Sequence, residues 1–144
     1  MKTVFSIILA SLLLVACDET KKVIDVAGNV QLSGLYKVTS IDNNQISENN
    51  PTLNFVALDK SIRGNTGCNN YFGKYNLDLY ALSFADIAST EMACDSTIMD
   101  TENAFMNALN NTGSYDLENS ALTLYSKVDR SILLIAIKER NSGN

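Results

Sequence analysis

Three cysteines are the most reactive side chains of this 144-residue sequence, which contains no histidine. Without an imidazole the chain has no Ser-His-Asp or Cys-His nucleophile, no imidazole general base and no histidine-ligated zinc. These absences exclude most familiar hydrolase mechanisms. The chemistry left to Cys17, Cys68 and Cys94 is acylation, disulfide formation, thiol–disulfide exchange, or service as a small apolar side chain.

Cys17 follows a short apolar segment at the start of the chain. Lys2 supplies a basic residue, and the thirteen residues 4–16 are too few to cross a bilayer core, which needs about twenty apolar residues in a helix. Residues 1–16 are therefore predicted to be a signal peptide. Its end, Leu14-Val15-Ala16-Cys17, resembles the bacterial lipobox, in which the cysteine is acylated and becomes the new N-terminus.

The lipobox resemblance implies a lipoprotein, whose acyl chains on Cys17, palmitate among them, bind the membrane. One acyl chain anchors only reversibly, so we expect two or more. The expected location is the bacterial cell envelope, with the domain facing the periplasm or the cell exterior. Asp18 resembles an inner-membrane retention signal of enteric bacteria, but other lineages read that position differently, so inner and outer membrane both remain open. The alternative is an ordinary secreted precursor cleaved near a cysteine.

The size and charge of the mature chain limit its organisation and its partners. Removal of residues 1–16 from the 144 leaves 128, which suits one domain and, we expect, a monomer. Loss of Lys2 takes the net charge from −5 to −6, and the pI is near 4.6. Such a surface repels phosphate backbones, so nucleic acid is not an expected partner. No residue pattern indicates a cofactor.

Acylation of Cys17 leaves Cys68 and Cys94 as a pair in an oxidising compartment. We favour a structural disulfide, which would stabilise the fold by roughly 3–4 kcal/mol. Two unpaired buried thiols are a second possibility. A redox pair is a third, although thiol oxidoreductases usually keep their cysteines in a C-x-x-C motif. Two thiolates without histidine fall short of the usual zinc ligands, so no metal site is predicted.

Acidic residues near the predicted helix give a second set of candidates. Asp95, Asp100 and Glu102 lack the spacing of a calcium loop, and their position near the helix start is explained by its macrodipole. An enzymatic use of the Glu102 carboxylate stays open beside the redox hypothesis.

Hydrophobic patterns predict the elements that position these residues. Residues 17–32 are polar and aperiodic, which predicts a flexible tether before a domain at 33–140. Strands are predicted at 35–38, 53–58, 61–66, 71–76, 81–87, 115–117, 121–125 and 132–137. The last run is apolar at every position, which is typical of a central strand covered on both faces.

One helix is predicted over residues 97–111, where Ile98, Phe105 and Leu109 recur on one face. Thr97 and Asp100 resemble a capping box, and Gly113 lies just beyond the C-terminal turn. Many short strands with one inserted helix predict an α+β fold, mostly antiparallel β. We expect a curved sheet or partly closed barrel with one helix packed on it.

Three segments together resemble a known family. They are residues 64–75 (GNTGCNNYFGKY), residues 82–94 (LSFADIASTEMAC) and residues 99–109 (MDTENAFMNAL). Their order and spacing resemble the META domain shared with HslJ-type heat-shock proteins, over about Gly34 to Lys138. The resemblance implies a bacterial envelope protein, often a lipoprotein, linked to stress response, and it brings no catalytic residue. Glu91 departs from the usual Thr-x-Met pattern.

Within these segments, most residues have an expected structural role. Gly64, Gly67 and Gly73 would serve sharp bends or a positive φ. Asn69 and Asn70 would bond to neighbouring backbone, although their amides could also meet a ligand. Alternate members of an aromatic set should fill the core, and the exposed remainder could recognise a partner. The set comprises Tyr71, Phe72, Tyr75, Tyr80 and Phe84.

The expected function is a non-enzymatic binding or stress-response module whose partner is an unknown envelope protein or ligand. The alternative is a thiol–disulfide redox protein of the envelope that uses Cys68 and Cys94. A purely structural component of an assembly would differ from the first in needing stoichiometric association.

Overall fold

Nine antiparallel strands and two helices make up the part of the chain that the computed structural model describes, residues 23 and 26–140. The strands are β1 (Gly34–Ile41), β2 (Asn44–Gln45), β3 (Thr52–Val56), β4 (Ser61–Asn65), β5 (Asn70–Asp78), β6 (Ala81–Ser89), β7 (Thr112–Glu118), β8 (Ala121–Ser126) and β9 (Ile132–Lys138). Helix α1 covers residues 26–32 and helix α2 covers Ser96–Asn111. The predicted signal peptide and Cys17 lie outside the described residues.

The sheet closes into a barrel. From β3 to β9 each strand pairs with the next along the chain, β1 pairs with β3, and β1 also pairs with β9 to complete the ring. The two-residue β2 pairs only with the end of β1. The predicted antiparallel barrel with a packed helix is confirmed. Its ring is narrowest in pairing between β6 and β7, which meet only at Ala81 and Ser114.

Side chains fill the interior of the barrel. Strand β5 alternates strictly between exposed and buried positions, so Tyr71 and Tyr75 point inward while Phe72 points outward. The ring of Phe55 lies between Tyr36 and Tyr75, with centroid distances of 5.8 Å and 5.2 Å and edge-on geometry. The predicted division of the aromatic set into core and exposed members is confirmed.

The two helices close opposite ends of the barrel. Helix α2 covers the end where β1 finishes, and it buries Phe105, Ala108 and Leu109. Helix α1 covers the end where β1 begins: Leu32 is fully buried, and the Tyr36 hydroxyl donates to its carbonyl oxygen at 3.0 Å. Burial raises the pKa of Tyr36 to about 12, so this donor stays protonated near neutral pH.

The predicted tether of residues 17–32 is wrong over its last residues. Residues 26–32 are helical and belong to the folded domain, because Asn29 and Leu32 are buried against the barrel. The rest of that prediction, apart from Val23, lies outside the described residues. Because the segment is mostly polar, its sequence did not indicate that Asn29 and Leu32 pack against the end of the barrel.

The predicted helix bounds of 97–111 agree with α2 within one residue, but the predicted capping residues are wrong. The N-cap of α2 is Asp95, without a side-chain capping bond, instead of Thr97. The Thr112 hydroxyl donates to the Ala108 carbonyl oxygen at 2.8 Å and closes the last turn. Gly113 already lies in β7, where a Cβ would collide with the backbone of Lys127. Gly113 allows β7 to approach the end of β8 closely. The local sequence does not distinguish this role of a glycine from that of a helix stop.

Strand β9 is not covered on both faces as predicted. Leu134 and Ala136 are fully buried, but Ile132 and Ile137 are partly exposed on the outside of the barrel. A barrel strand has one interior face and one exterior face, so an apolar residue at every position does not imply two covering layers here.

Candidate functional site

The loop between β4 and β5, residues 66–69, lies at the α2 end of the barrel and carries the first cysteine of the pair. Gly67 adopts φ +103°, and a Cβ there would lie 2.6 Å from the Asn49 carbonyl oxygen. The Gly67 amide donates to the Asn65 side chain at 2.7 Å. The predicted positive φ is therefore found at Gly67. Gly64 instead lies in β4, where a Cβ would collide with the carbonyl oxygen of Thr52.

A disulfide joins this loop to the segment before α2. Cys68 and Cys94 are bonded with an S–S distance of 2.00 Å and a Cα–Cα distance of 6.1 Å. The structure therefore has the disulfide that we favoured, and the two unpaired thiols are excluded. Cys68 is buried and Cys94 is partly buried.

Asn69 forms a second clamp between the same two segments. Its side-chain oxygen accepts from the Met92 amide and from the Thr90 hydroxyl, both at 2.7 Å. Its side-chain nitrogen donates to the Met92 carbonyl oxygen at 3.2 Å and to the Glu102 carboxylate at 3.0 Å. Asn69 is almost fully buried. Its role is structural, as expected, but its side chain bonds to distant residues instead of the neighbouring backbone.

The macrodipole interpretation of Glu102 is wrong, because Glu102 lies beyond the first turn of α2 and is buried, with only 8% of the residue exposed. Its carboxylate accepts hydrogen bonds from the Thr66 hydroxyl and from the Asn69 amide, the latter at 3.2 Å. A buried carboxylate is tolerated when such donors surround it. The sequence did contain a signal for the burial of Glu102, namely its spacing. Glu102 lies one turn before Phe105 and two turns before Leu109, on the buried face of α2.

The other two acids of the predicted cluster do not join Glu102. Asp95 and Asp100 are exposed at the start of α2. Within the described ranges, no group of three or more cysteine, aspartate or glutamate side chains could hold a metal ion.

Two open clefts flank this clamped region. The smaller, about 310 Å³, is lined by Asn69, residues 89–93, Met99 and Glu102. The larger, about 540 Å³, lies on the outer face of β1, β3, β4 and β5, and we call it the outer groove. Its lining residues are Leu35, Thr52, Asn54, Arg63, Gly64, Asn65, Asn70, Tyr71 and Phe72.

Strand register builds the outer groove. Leu35 of β1 lies opposite Asn54 of β3. Arg63 of β4 lies opposite Asn54 on one side and opposite Phe72 of β5 on the other. Phe72 is 65% exposed, and Arg63 is the only charged side chain among the lining residues. The groove therefore offers an aromatic ring beside a cation, on a protein that is acidic overall.

These features define the class of protein. It is a small antiparallel barrel with a filled interior, closed at one end by a helix that is clamped to a disulfide-bonded loop. The chain belongs to the META domain family, whose family model matches residues 29–139.

Solved structures share this fold. An NMR structure of a protein from Burkholderia xenovorans has a TM-score of 0.63 and 22% identity over 79% of this chain and 88% of its own. A second NMR structure has a TM-score of 0.61 and 23% identity, over 76% and 93%. A crystal structure of a DUF4847 family protein from Bacteroides vulgatus has a TM-score of 0.56 and 15% identity, over 79% and 99%. No curated protein sequence matches the chain.

The clamp predicts a specific loss of stability when Glu102 is changed. Glu102→Gln keeps the shape but places an amide nitrogen among the donors of Thr66 and Asn69. We expect the free energy of unfolding in urea to fall by about 1–3 kcal/mol. The matched control is Glu91→Gln, because Glu91 is exposed, and it should change stability by less than about 0.5 kcal/mol. Equal effects of the two variants would contradict the clamp.

Proposed function

We propose that this META-domain protein is a lipid-anchored, non-enzymatic binding module of the bacterial envelope that serves in the response to stress. The proposal is supported mainly by one observation: polar side chains of the three segments that resemble the META family form hydrogen bonds with one another. Thr66, Asn69 and Glu102 satisfy their hydrogen bonds inside the clamp. A catalytic centre would instead keep its reactive groups available to a substrate.

The anchor is argued from the sequence around Cys17. Residues 14–17 carry the lipobox pattern, and residues 1–16 have the length and character of a signal peptide. The described residues contain no helix that is both long and apolar enough to cross a membrane. Acyl chains are a sufficient means of attachment for a domain of this size.

The outer groove is the surface that we assign to binding. It lies directly beside the clamped loop, since Asn65 and Asn70 border both. An exposed aromatic ring and an arginine fork are side chains that binding surfaces use frequently. Because the clamp fixes the ends of β4 and β5, the groove is held ready for a partner.

The redox alternative is less well supported by the geometry. Thiol–disulfide exchange requires that a thiolate reach one of the two sulfurs. Cys68 is buried, and the Asn69 side chain both donates to and accepts from the backbone of Met92, in the segment that carries Cys94. These contacts favour a structural disulfide.

The anchor predicts the mass of the native protein. Purified from bacterial membranes, it should begin at Cys17 and carry the added mass of two or more acyl chains. Cys17→Ser should abolish both the cleavage and the acylation. As the matched control, the double variant Cys68→Ser/Cys94→Ser should still be acylated. A native chain that begins at another residue without acyl mass would contradict the anchor.

The binding surface predicts position-specific crosslinking in intact cells. A photoreactive benzoylphenylalanine in place of Phe72 should give a discrete protein or glycan adduct, which grows under heat stress. Arg63→Gln in the same chain should remove most of the adduct, because it takes the cation from the groove.

The control for this experiment is the same probe in place of Tyr80. Tyr80 is an exposed aromatic residue on a different turn and lies outside the groove. The same adduct from both positions, or no adduct from Phe72 in stressed and unstressed cells, would count against the groove.

The redox alternative is tested by alkylation of the reduced, folded protein at pH 6. A structural disulfide predicts slow reaction of both cysteines relative to the urea-unfolded chain, because neither thiol would be an accessible thiolate. It also predicts that reduction lowers the free energy of unfolding by roughly 3–4 kcal/mol. Rapid alkylation of either cysteine, with little loss of stability, would favour the redox protein instead.

A further inference from the structure

Large apolar side chains are exposed together at the α1 end of the barrel. Antiparallel order places the β3–β4 turn and the β5–β6 turn at the end where β1 begins. Leu58, in the first turn, is 98% exposed, and Tyr80, in the second, is 78% exposed. Leu79 beside it is also exposed. Two separate turns thus present apolar residues in the same direction along the barrel axis.

Helix α1 adds an apolar stripe to the same end. Val26 and Val30 lie one turn apart on one face of α1 and are 61% and 64% exposed. Val23, before them in the chain, is 69% exposed. The other face is fixed to the barrel, since Leu32 is fully buried and the Lys138 ammonium donates to the Gln31 carbonyl oxygen at 3.0 Å. The valines are therefore held outward by the packing of the helix.

We propose that this end of the barrel rests on the lipid surface to which the protein is anchored. The contact consists of Val23, Val26, Val30, Leu58, Leu79 and Tyr80, which we call the apolar end. The proposal rests on the lipid anchor of the proposed function, and adds to it a fixed orientation of the domain.

The short chain between Cys17 and α1 indicates that the apolar end contacts a lipid bilayer. Val23 lies six positions after Cys17, and six residue steps of extended chain reach at most about 20 Å. An acylated Cys17 therefore keeps the apolar end close to the membrane. Exposed valine and leucine side chains gain by leaving water, and a tyrosine ring suits the boundary between headgroups and acyl chains.

This orientation leaves the binding surface open to partners outside the membrane. The clamped loop and α2 lie at the opposite end of the barrel, so they point away from the membrane. The outer groove then opens sideways and outward, where a soluble or wall-bound partner can enter it.

A single tryptophan can test the orientation, because the chain contains none. Leu58→Trp places the probe in the apolar end. Val128→Trp is the matched control, since Val128 is an 84% exposed apolar residue in the β8–β9 turn at the other end. Both acylated mature proteins are reconstituted in phosphatidylcholine vesicles, with or without brominated acyl chains.

We expect the Leu58→Trp emission to shift to the blue and to be quenched by brominated lipid at least about threefold more than Val128→Trp. Adding Val26→Ser and Val30→Ser to the Leu58→Trp chain should reduce that quenching. Equal quenching of the two probes overturns the proposal. A blue shift of Leu58→Trp without quenching by brominated lipid would indicate a second copy of the chain as the occupant, and also overturns it.

The intact mass of each reconstituted sample separates the two proposals. Acyl mass on Cys17 without quenching of Leu58→Trp leaves the anchor standing and removes the orientation. Absence of acyl mass in protein purified from its native membrane overturns both. Circular dichroism of the variants should match the parent, because all of the substituted side chains are exposed.

Discussion

The hydrogen bonds from Asn69 and Thr66 to the buried Glu102 carboxylate hold the α2 end of this protein together. They join the helix to the β4–β5 loop, and Asn69 joins both to the backbone of Met92. The Cys68–Cys94 disulfide ties the same segments covalently. A carboxylate removed from water is stable only while these donors stay in place. Loop, helix and pre-helix segment are therefore expected to order as one unit.

Barrel closure determines where such a protein can act. In the described part of the chain, closure leaves little strand edge for a partner strand: β2 pairs only with β1, and β6 and β7 pair only at Ala81 and Ser114. Buried side chains fill the interior of the ring. The remaining surfaces are the outer faces and the two ends. The α2 end carries the clamped polar loop, with Met92 and Val128 exposed near it, and the α1 end carries a larger set of exposed apolar side chains. In our proposals, the α1 end of the barrel contacts the membrane and the outer groove binds a partner.

Local patterns predicted most of the elements correctly. Alternation along β5 separated the buried Tyr71 and Tyr75 from the exposed Phe72, and helical spacing placed Phe105 and Leu109 in the core. The errors occurred where a distant segment decides the outcome. Gly113 matched a helix stop, yet its glycine serves the close approach of Lys127. Glu102 was attributed to the macrodipole at the helix start, yet its hydrogen-bond partners are more than thirty residues away in the chain.

The sequence by itself determined eight of the nine strands, helix α2, the pairing of Cys68 with Cys94 as the favoured disulfide, and the family. Each of these depends on residue type and on short spacings along the chain. Only the tertiary structure decided that β1 and β9 close the ring, that residues 26–32 cap it, and that Glu102 is a buried acceptor. These features depend on pairing between residues far apart in the chain, such as Val38 with Ala136. A local sequence pattern indicates which side chains are apolar enough to be buried. The surface that buries them forms only when distant strands pair and the barrel closes.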